Sequence, residues 1–342
     1  MNSTWSEYLP TQGAVLAGDR VLHFGDPQGE LQAAQTALVV ADLSHYGLIA
    51  LTGEEAQAFL HGQITNDLRP LTDAQAVYAG YCSAKGRLLA NFLVFRRGGT
   101  LYLLLPRVLS EPIRRRLSMF VLRSRVKLAD AGDDWVILGL NGPGAQALVS
   151  AHFGVIPPEP MSVVHTDSGW AVRLAPDRFD LVVAPPAAPA LWQALRAQAR
   201  PVGAPAWDWL MVRAGVPVIL PATQDQFVPQ MVNLEVLGGV SFHKGCYPGQ
   251  EIVARSQYLG KLKRRMYLAH VDAEAAAGTE LYSPDLPGQA CGQVINAAPA
   301  PEGGTDVLAV MQVTSHEAGE VHLGAADGPR LAFLPLPYAL PA

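Results

Sequence analysis

The sequence predicts an α+β protein made of two related α+β modules followed by a small all-β C-terminal domain. Three observations lead there: an internal repeat, the order of apolar segments around it, and a C-terminal run of short strands separated by turns. The repeat is Leu51-Thr-Gly-Glu-Glu-Ala-Gln-Ala-Phe-Leu60 against Leu140-Asn-Gly-Pro-Gly-Ala-Gln-Ala-Leu-Val149, identical at five of ten positions. In each copy an apolar strand (47–51; 136–140) runs into Thr52 or Asn141, either able to cap the Ala-Gln-Ala helix that follows.

The order of elements after the two copies also repeats. Residues 88–95 and 170–174 read as strands, followed by second strands at 101–105 and 179–183. Each second strand ends in proline and then an amphipathic helix, near 109–117 and 190–198. The pattern is β-α-β-β-α twice, which predicts two modules with antiparallel sheets. A Pro/Gly/Ala stretch at 201–205 leads to a short helix at 207–214. Residues 217–260 lack periodicity and read as a long ordered loop of the kind that carries function. From Met266, apolar runs at 266–271, 292–295, 307–313, 320–323 and 331–334 alternate with Gly, Pro and Asp turns, as in a β-barrel.

Composition narrows the class. The 342 residues are 49% hydrophobic and 16% charged, which excludes a disordered chain. At that length two or three domains are expected. The formal net charge of −5 argues against a nucleic-acid binder held by bulk charge. The charge is uneven: residues 266–342 hold nine acids and one base, Arg330. The more basic body beside that acidic segment suits an anionic ligand. No apolar run is long enough to span a membrane, and the N-terminus lacks signal-peptide features. Cys82, Cys246 and Cys291 are too few and too far apart for a disulfide framework, so a reducing, cytoplasmic setting is expected.

Several familiar motifs are missing, namely a phosphate-binding Gly loop, a dinucleotide fingerprint and a nucleophile elbow. His316 and His322 are six residues apart, the wrong spacing for one helix face, and Gly319 suggests a hairpin turn there. A basic cluster, Arg114, Arg115, Arg116, Arg123, Arg125 and Lys127, reads either as a solvated helix end or as a docking face for an acidic partner or RNA.

The segment His243-Lys-Gly-Cys-Tyr-Pro-Gly-Gln-Glu-Ile-Val-Ala-Arg255 concentrates chemistry. Cys246 lies between Gly245 and Gly249, in a turn that lets backbone approach a ligand closely. Lys244, His243 and Arg255 lie near it in sequence and would favour its thiolate, the form that attacks electrophiles or binds iron. Gln250 and Glu251 add an amide and a carboxylate.

Lys244-Gly-Cys-Tyr-Pro-Gly-Gln-Glu251 resembles the signature of the YgfZ-type proteins, folate-binding relatives of the glycine-cleavage T-protein linked to iron–sulfur cluster assembly or repair. The likeness extends to Phe227–Phe242, Ala84-Lys85-Gly86-Arg87 with Asn91, residues 62–65 and 335–338, so it covers nearly the whole chain. It implies a three-domain cloverleaf like that of the T-protein, with two related ferredoxin-like α+β modules and a C-terminal β-barrel. The implied division is residues 1–52 with 132–243, residues 53–131, a motif-bearing linker at 244–265, and the barrel at 266–342.

The resemblance also implies a tetrahydrofolate site with the aromatic positions Tyr46 and Trp207 facing the ligand. A flat pterin needs a stacking face, and its anionic glutamate tail a cation, for which Arg255 and Lys261 are candidates. The function implied is a monomeric accessory protein that binds folate and serves iron–sulfur client proteins, including enzymes that modify tRNA, without binding nucleic acid or membrane itself. Its working residues would be Cys246 as functional thiol, with Lys244, Gln250 and Glu251; no metal site is expected. The alternative is an aminomethyltransferase of T-protein type. The T-protein likeness would require an Asp-Asp pair after a Gly-rich turn, and this chain has Ala90-Asn91 there, which removes that electrostatic element.

Overall fold

A computed structural model describes residues 1–258 and 262–341. The chain opens with α1 (Ser3–Thr11), β1 (Val15–Ala17), β2 (Arg20–His23), α2 (Pro27–Thr36) and β3 (Val39–Asp42). The first repeat follows as β4 (Tyr46–Thr52), α3 (Ala56–His61), β5 (Ala76–Cys82), β6 (Leu88–Arg97), β7 (Thr100–Pro106) and α4 (Arg107–Ser118). The second runs β8 (Lys127–Asp130), β9 (Val136–Asn141), α5 (Ala145–Phe153), β10 (Val163–Thr166), β11 (Gly169–Ala175), β12 (Arg178–Val183), α6 (Ala188–Arg196) and β13 (Arg200–Val202). Helix α7 (Ala204–Arg213) and, after a long connection, α8 (Gln250–Tyr258) precede the C-terminal strands β14 (Arg264–Val271), β15 (Glu280–Tyr282), β16 (Ala290–Pro299) and β17 (Thr305–Gln312). The chain ends with α9 (Val313–Ala318), β18 (His322–Leu323) and β19 (Ala332–Leu334).

Local chemistry explains the starts and stops. Asn2 caps α1 by accepting from Trp5 N at 3.2 Å, and Asp26 caps α2 by accepting from Gly29 N at 3.0 Å, with Pro27 in the first turn. Gly154 ends α5 in the left-handed conformation.

The expected α+β fold is present. The two module sheets have the orders β5-β6-β7-β4-β8 and β10-β11-β12-β9-β3-β13. Each module holds a strand that the repeat pattern left out, β5 or β10, ahead of the two that it included. The sheets are antiparallel except where β13 pairs with β3 in parallel.

The repeat is longer than the ten aligned residues, and its two copies exchange a strand. In β4 and β8, Leu51 faces Leu128 and Ala50 faces Ala129. In β9 and β3, Leu140 faces Val40 and Gly139 faces Ala41. β3 therefore occupies beside β9 the place that β8 occupies beside β4. Asp42 and Asp130 end these two strands, and each accepts from the backbone two residues on, Ser44 N at 3.1 Å and Gly132 N at 2.9 Å. Gly53 and Gly142, the shared glycines of the repeat, both have φ of +115°. A Cβ there would lie 2.1 Å from Arg125 O and 2.2 Å from Ala37 O respectively. Each copy thus begins with a strand, β3 or β8, that pairs in the sheet of the other copy.

Two compact units emerge from the contacts: Met1–Phe59 with Pro70–Val77 and Leu93–Trp207, and Leu60–Arg69 with Tyr78–Phe92 and Asp208–Ala342. One core of the first unit gathers Trp5, Leu9, Val40, Leu138, Leu140, Phe179, Leu181 and Trp192. In the second, β14–β19 form a sheet in the order β18-β15-β16-β17-β14-β19 over Cys291, Val294, Val307, Ala309 and Met311. Arg330 bridges to His322 of β18 just before β19 pairs with β14, which curls the antiparallel sheet into a half-barrel.

Two expectations for the C-terminal half are corrected. The stretch read as loop contains α8, which the absence of a clear apolar stripe concealed; Val253 is its one buried residue. Residues 313–318 form a short helix rather than a hairpin turn, closed by Gly319 in the left-handed conformation. Among the described residues no helix is long and apolar enough to cross a membrane.

Candidate functional site: a pinned thiol loop

The loop that carries Cys246 rests on the turn between β5 and β6. That turn closes by Ser83 N to Arg87 O at 2.8 Å and Gly86 N to Ser83 O at 2.9 Å. Asp225 braces it, accepting from Ser83 Oγ at 2.7 Å while its own carbonyl accepts from Arg87 Nη1 at 3.2 Å. Asp225 does this with a left-handed backbone, φ +56°.

Gly249 packs directly on this turn. Its φ is +77°, and a Cβ there would lie 2.4 Å from Ser83 O and 2.5 Å from Gly86 N and Cα. Of the two glycines flanking Cys246, only Gly249 is required by close approach; a Cβ on Gly245 meets nothing within 4 Å. Helix α8 starts at once, with Val253 N bonded to Gly249 O, and Gln230 Nε2 donates to Val253 O at 2.7 Å.

Lys244 and Tyr247 anchor the loop inward. The Lys244 ammonium donates to His61 O and, at 2.6 Å, to Ile64 O, and lies 5.0 Å from the centre of the Tyr247 ring. Burial pulls its pKa down to about 8, with Asp67 opposing the shift. The cation nearest Cys246 in sequence is therefore committed to main-chain carbonyls. Tyr247 is buried, and burial raises its hydroxyl pKa, with the neighbouring Cys82 adding to the rise.

Cys246 itself is exposed, between these two anchors, whereas Cys82 and Cys291 are buried. Burial pushes the Cys82 thiol up to about 12 and raises that of Cys291. His243, Glu251 and Arg255 are exposed, and Gln250 is half-buried at the start of α8. Lys261 lies outside the described residues. Arg265, at the start of β14, is held by Glu235 and donates to Gln230 O at 2.9 Å.

Asn91, where the transferase would need an acid, is a buried clamp. Its Nδ2 donates to Pro217 O at 2.7 Å and its Oδ1 accepts from Ile219 N at 2.9 Å. Ala90 is fully buried.

The expected folate contacts Tyr46 and Trp207 lie in the first unit. Tyr46 begins β4, half-buried, its ring 4.7 Å from that of His45. Trp207 is only 1% exposed, and a Cβ on Gly139 would fall 2.5 Å from its ring. The ring lies on β9, so as folded it is a core residue without an open stacking face.

Beside it lies a residue that sequence reading missed. Asp180 pairs with Gly139 across β12 and β9, and so shares its face of the sheet. It is buried, its Oδ1 has no hydrogen-bond partner, and burial pushes its pKa up to about 7 against the pull of Arg178. A buried carboxyl with an unpartnered oxygen, beside an aromatic ring, fits the amino edge of a pterin.

The α+β modules and the thiol loop define a protein built on the T-protein plan, and comparison with known proteins agrees. The family described as GCVT N-terminal domain matches residues 19–241. The tRNA-modifying protein YgfZ of Klebsiella pneumoniae (strain 342) is 35% identical over 321 residues, covering 92% of this chain and 97% of the relative. Its namesake from Escherichia coli O157:H7 (strain EC4115 / EHEC) is 33% identical over the same shares. The crystal structure of the glycine cleavage system aminomethyltransferase T from Bartonella henselae superposes with a TM-score of 0.77, covering 98% of this chain and 96% of that one. At 17% identity this likeness concerns the fold. The chain belongs to the YgfZ family.

Proposed function

We propose that this chain is a tetrahydrofolate-binding accessory protein that supports assembly or repair of iron–sulfur clusters in client enzymes, tRNA-modifying enzymes among them. Cys246 is its working thiol. The observation that carries this reading is the exposed Cys246 on a loop pinned on both sides, by Lys244 and Tyr247 turned inward and by Gly249 seated on the β5–β6 turn. A thiol held out on a fixed backbone can meet a partner's cluster or disulfide without first ordering the loop. Gln250 and Glu251 follow at the start of α8, four and five residues after Cys246, and add an amide and a carboxylate to the same segment. The names of the relatives support the tRNA-modifying class of client.

Tetrahydrofolate or a one-carbon derivative of it would supply a reduced pterin able to carry a one-carbon unit. Within the first unit, the residues suited to hold it are Tyr46, for a ring face, and Asp180, whose oxygen without a partner among the described residues can accept from the pterin edge. Trp207 supports this face from within the core. The chain acts in the cytoplasm as a monomer. The aminomethyltransferase reading is disfavoured by Ala90-Asn91, since the Asn91 amide is engaged at both ends with main chain.

Cys246→Ser is expected to abolish support of iron–sulfur enzyme activity in cells lacking the native chain, while Cys82→Ser and Cys291→Ser support it normally. Full complementation by Cys246→Ser would leave the thiol without a chemical role. Iodoacetamide at neutral pH should label Cys246 well ahead of Cys82, whose thiolate fraction is only about one part in 10⁵ at a pKa near 12.

Calorimetric titration with tetrahydrofolate tests the cofactor separately. Tyr46→Ala should weaken binding by about 1 kcal/mol through loss of ring contact. If the wild type releases no heat and shows no saturation, the folate half of the reading fails and the thiol half stands.

A further inference from the structure

The outer face of α4 and the turn after it form a surface that neither the thiol loop nor the folate reading uses. Leu109, Ile113 and Leu117 bury one side of the helix. On the other, Val108, Pro112, Arg115 and Met119 follow one another at helical spacing, all exposed. Met119 is 65% exposed, and the chain continues through Phe120 to Leu122, which is 88% exposed. Leu122 also has a left-handed backbone, φ +48°, a costly conformation for a leucine that buries nothing.

The cations around these apolar side chains divide into two groups. Arg114 and Arg115 are paired with Glu111, and Arg125 with Glu54 and Glu55. Arg116, Arg123 and Lys127 are exposed and have no ion-pair partner among the described residues. Leu122, Arg123, Ser124 and Glu55 line a shallow depression that is open to solvent.

We propose that this surface docks an acidic protein segment that carries apolar side chains. One apolar side chain packs against Leu122, others lie along Met119 and Val108, and carboxylates meet Arg116, Arg123 and Lys127. Charge complementarity sets the sign of the partner, and the aliphatic anchors set its kind. RNA favours aromatic stacking platforms, and only Phe120 here is aromatic. Against a bilayer surface, the Glu111 carboxylate interrupts the apolar stripe. The chain's own acidic C-terminal segment makes a second copy the natural competitor.

The test uses the full chain and a fluorescein-labelled amphipathic peptide of Leu and Glu, with Leu at helical spacing, followed by fluorescence anisotropy. Binding is expected, weakening as salt rises. It should fall about tenfold in Leu122→Asn and in Arg123→Glu, a loss of about 1.4 kcal/mol. Asparagine tolerates the left-handed backbone, so Leu122→Asn removes the anchor without adding strain. Unchanged thermal melts should show that both variants fold.

Four outcomes overturn the proposal. The wild type does not bind the peptide. A Leu-free poly-Glu peptide, oligouridine or phosphatidylserine vesicles bind as well as the peptide does. The two variants bind it as the wild type does. Sedimentation shows the chain self-associating through Leu122 and Arg123.

Discussion

Gly249→Ala should displace the Cys246 loop and cost the fold about 2–4 kcal/mol. Two costs combine. The left-handed backbone at φ +77° disfavours any L side chain by about 1–2 kcal/mol. The new methyl would also lie within 2.5 Å of the Ser83 carbonyl and the Gly86 backbone, and backbone cannot rotate away as a side chain would. Two controls separate these effects. Gly238→Ala has the same kind of backbone, φ +72°, but open space around its Cβ, so it carries the conformational cost alone. Gly245→Ala, beside the same cysteine, has neither and should be close to silent. Denaturant unfolding of the three variants gives the comparison, and iodoacetamide labelling of Cys246 reports whether the loop has moved. Equal losses for Gly249→Ala and Gly238→Ala would mean that the seat on the β5–β6 turn contributes nothing.

A second large effect is expected at Asp180, with the unusual sign that removing a native charge stabilises. Its folded pKa of about 7 lies above the ordinary carboxyl value of about 3.9, so the folded state holds the proton more tightly than the unfolded chain does. Stability relative to an uncharged side chain is therefore highest below about pH 4 and is lost as pH rises through 7. Asp180→Asn removes that loss. The variant should be close to wild type at about pH 4 and more stable by on the order of 4 kcal/mol at about pH 8, since each pKa unit is worth about 1.4 kcal/mol. Chemical denaturation across this range measures it. A stability difference that does not change with pH would show that Asp180 titrates normally.

Much of the fold could be read in advance because the signals were local. The Ala-Gln-Ala helices and the strands before them follow from short-range patterning, and the half-barrel from apolar runs broken by turns. The strand exchange was not legible, because β3 and β8 are only four residues each and nothing in such a segment names its partner. The site divides the same way. Its composition and glycines marked the Cys246 loop, and the thiol is indeed exposed. Adjacency suggested that Lys244 would serve Cys246, but its ammonium reaches instead to His61 and Ile64, far away in sequence. Trp207 looked available because its covering residue, Gly139, is equally remote. Asp180 sits between Phe179 and Leu181, where alternation reads as a solvent-facing strand position. Only the helix that carries Trp207 turns that face into an interior.

The exchange of β3 and β8 bears on how the protein is made. On a ribosome, β3 emerges well before its partners β9 and β13, which end at Asn141 and Val202. At about 5–20 residues per second, the nascent chain holds the apolar stretch Val39-Val40-Ala41 without a partner for several seconds at least, and for longer before β13 arrives. The first repeat likewise waits for β8, which belongs by descent to the second. Neither copy can finish folding from its own residues, so a chain truncated after Ser118 would leave two sheet edges open to aggregation. Each half of the repeat thus supplies a strand that the other needs to complete its sheet.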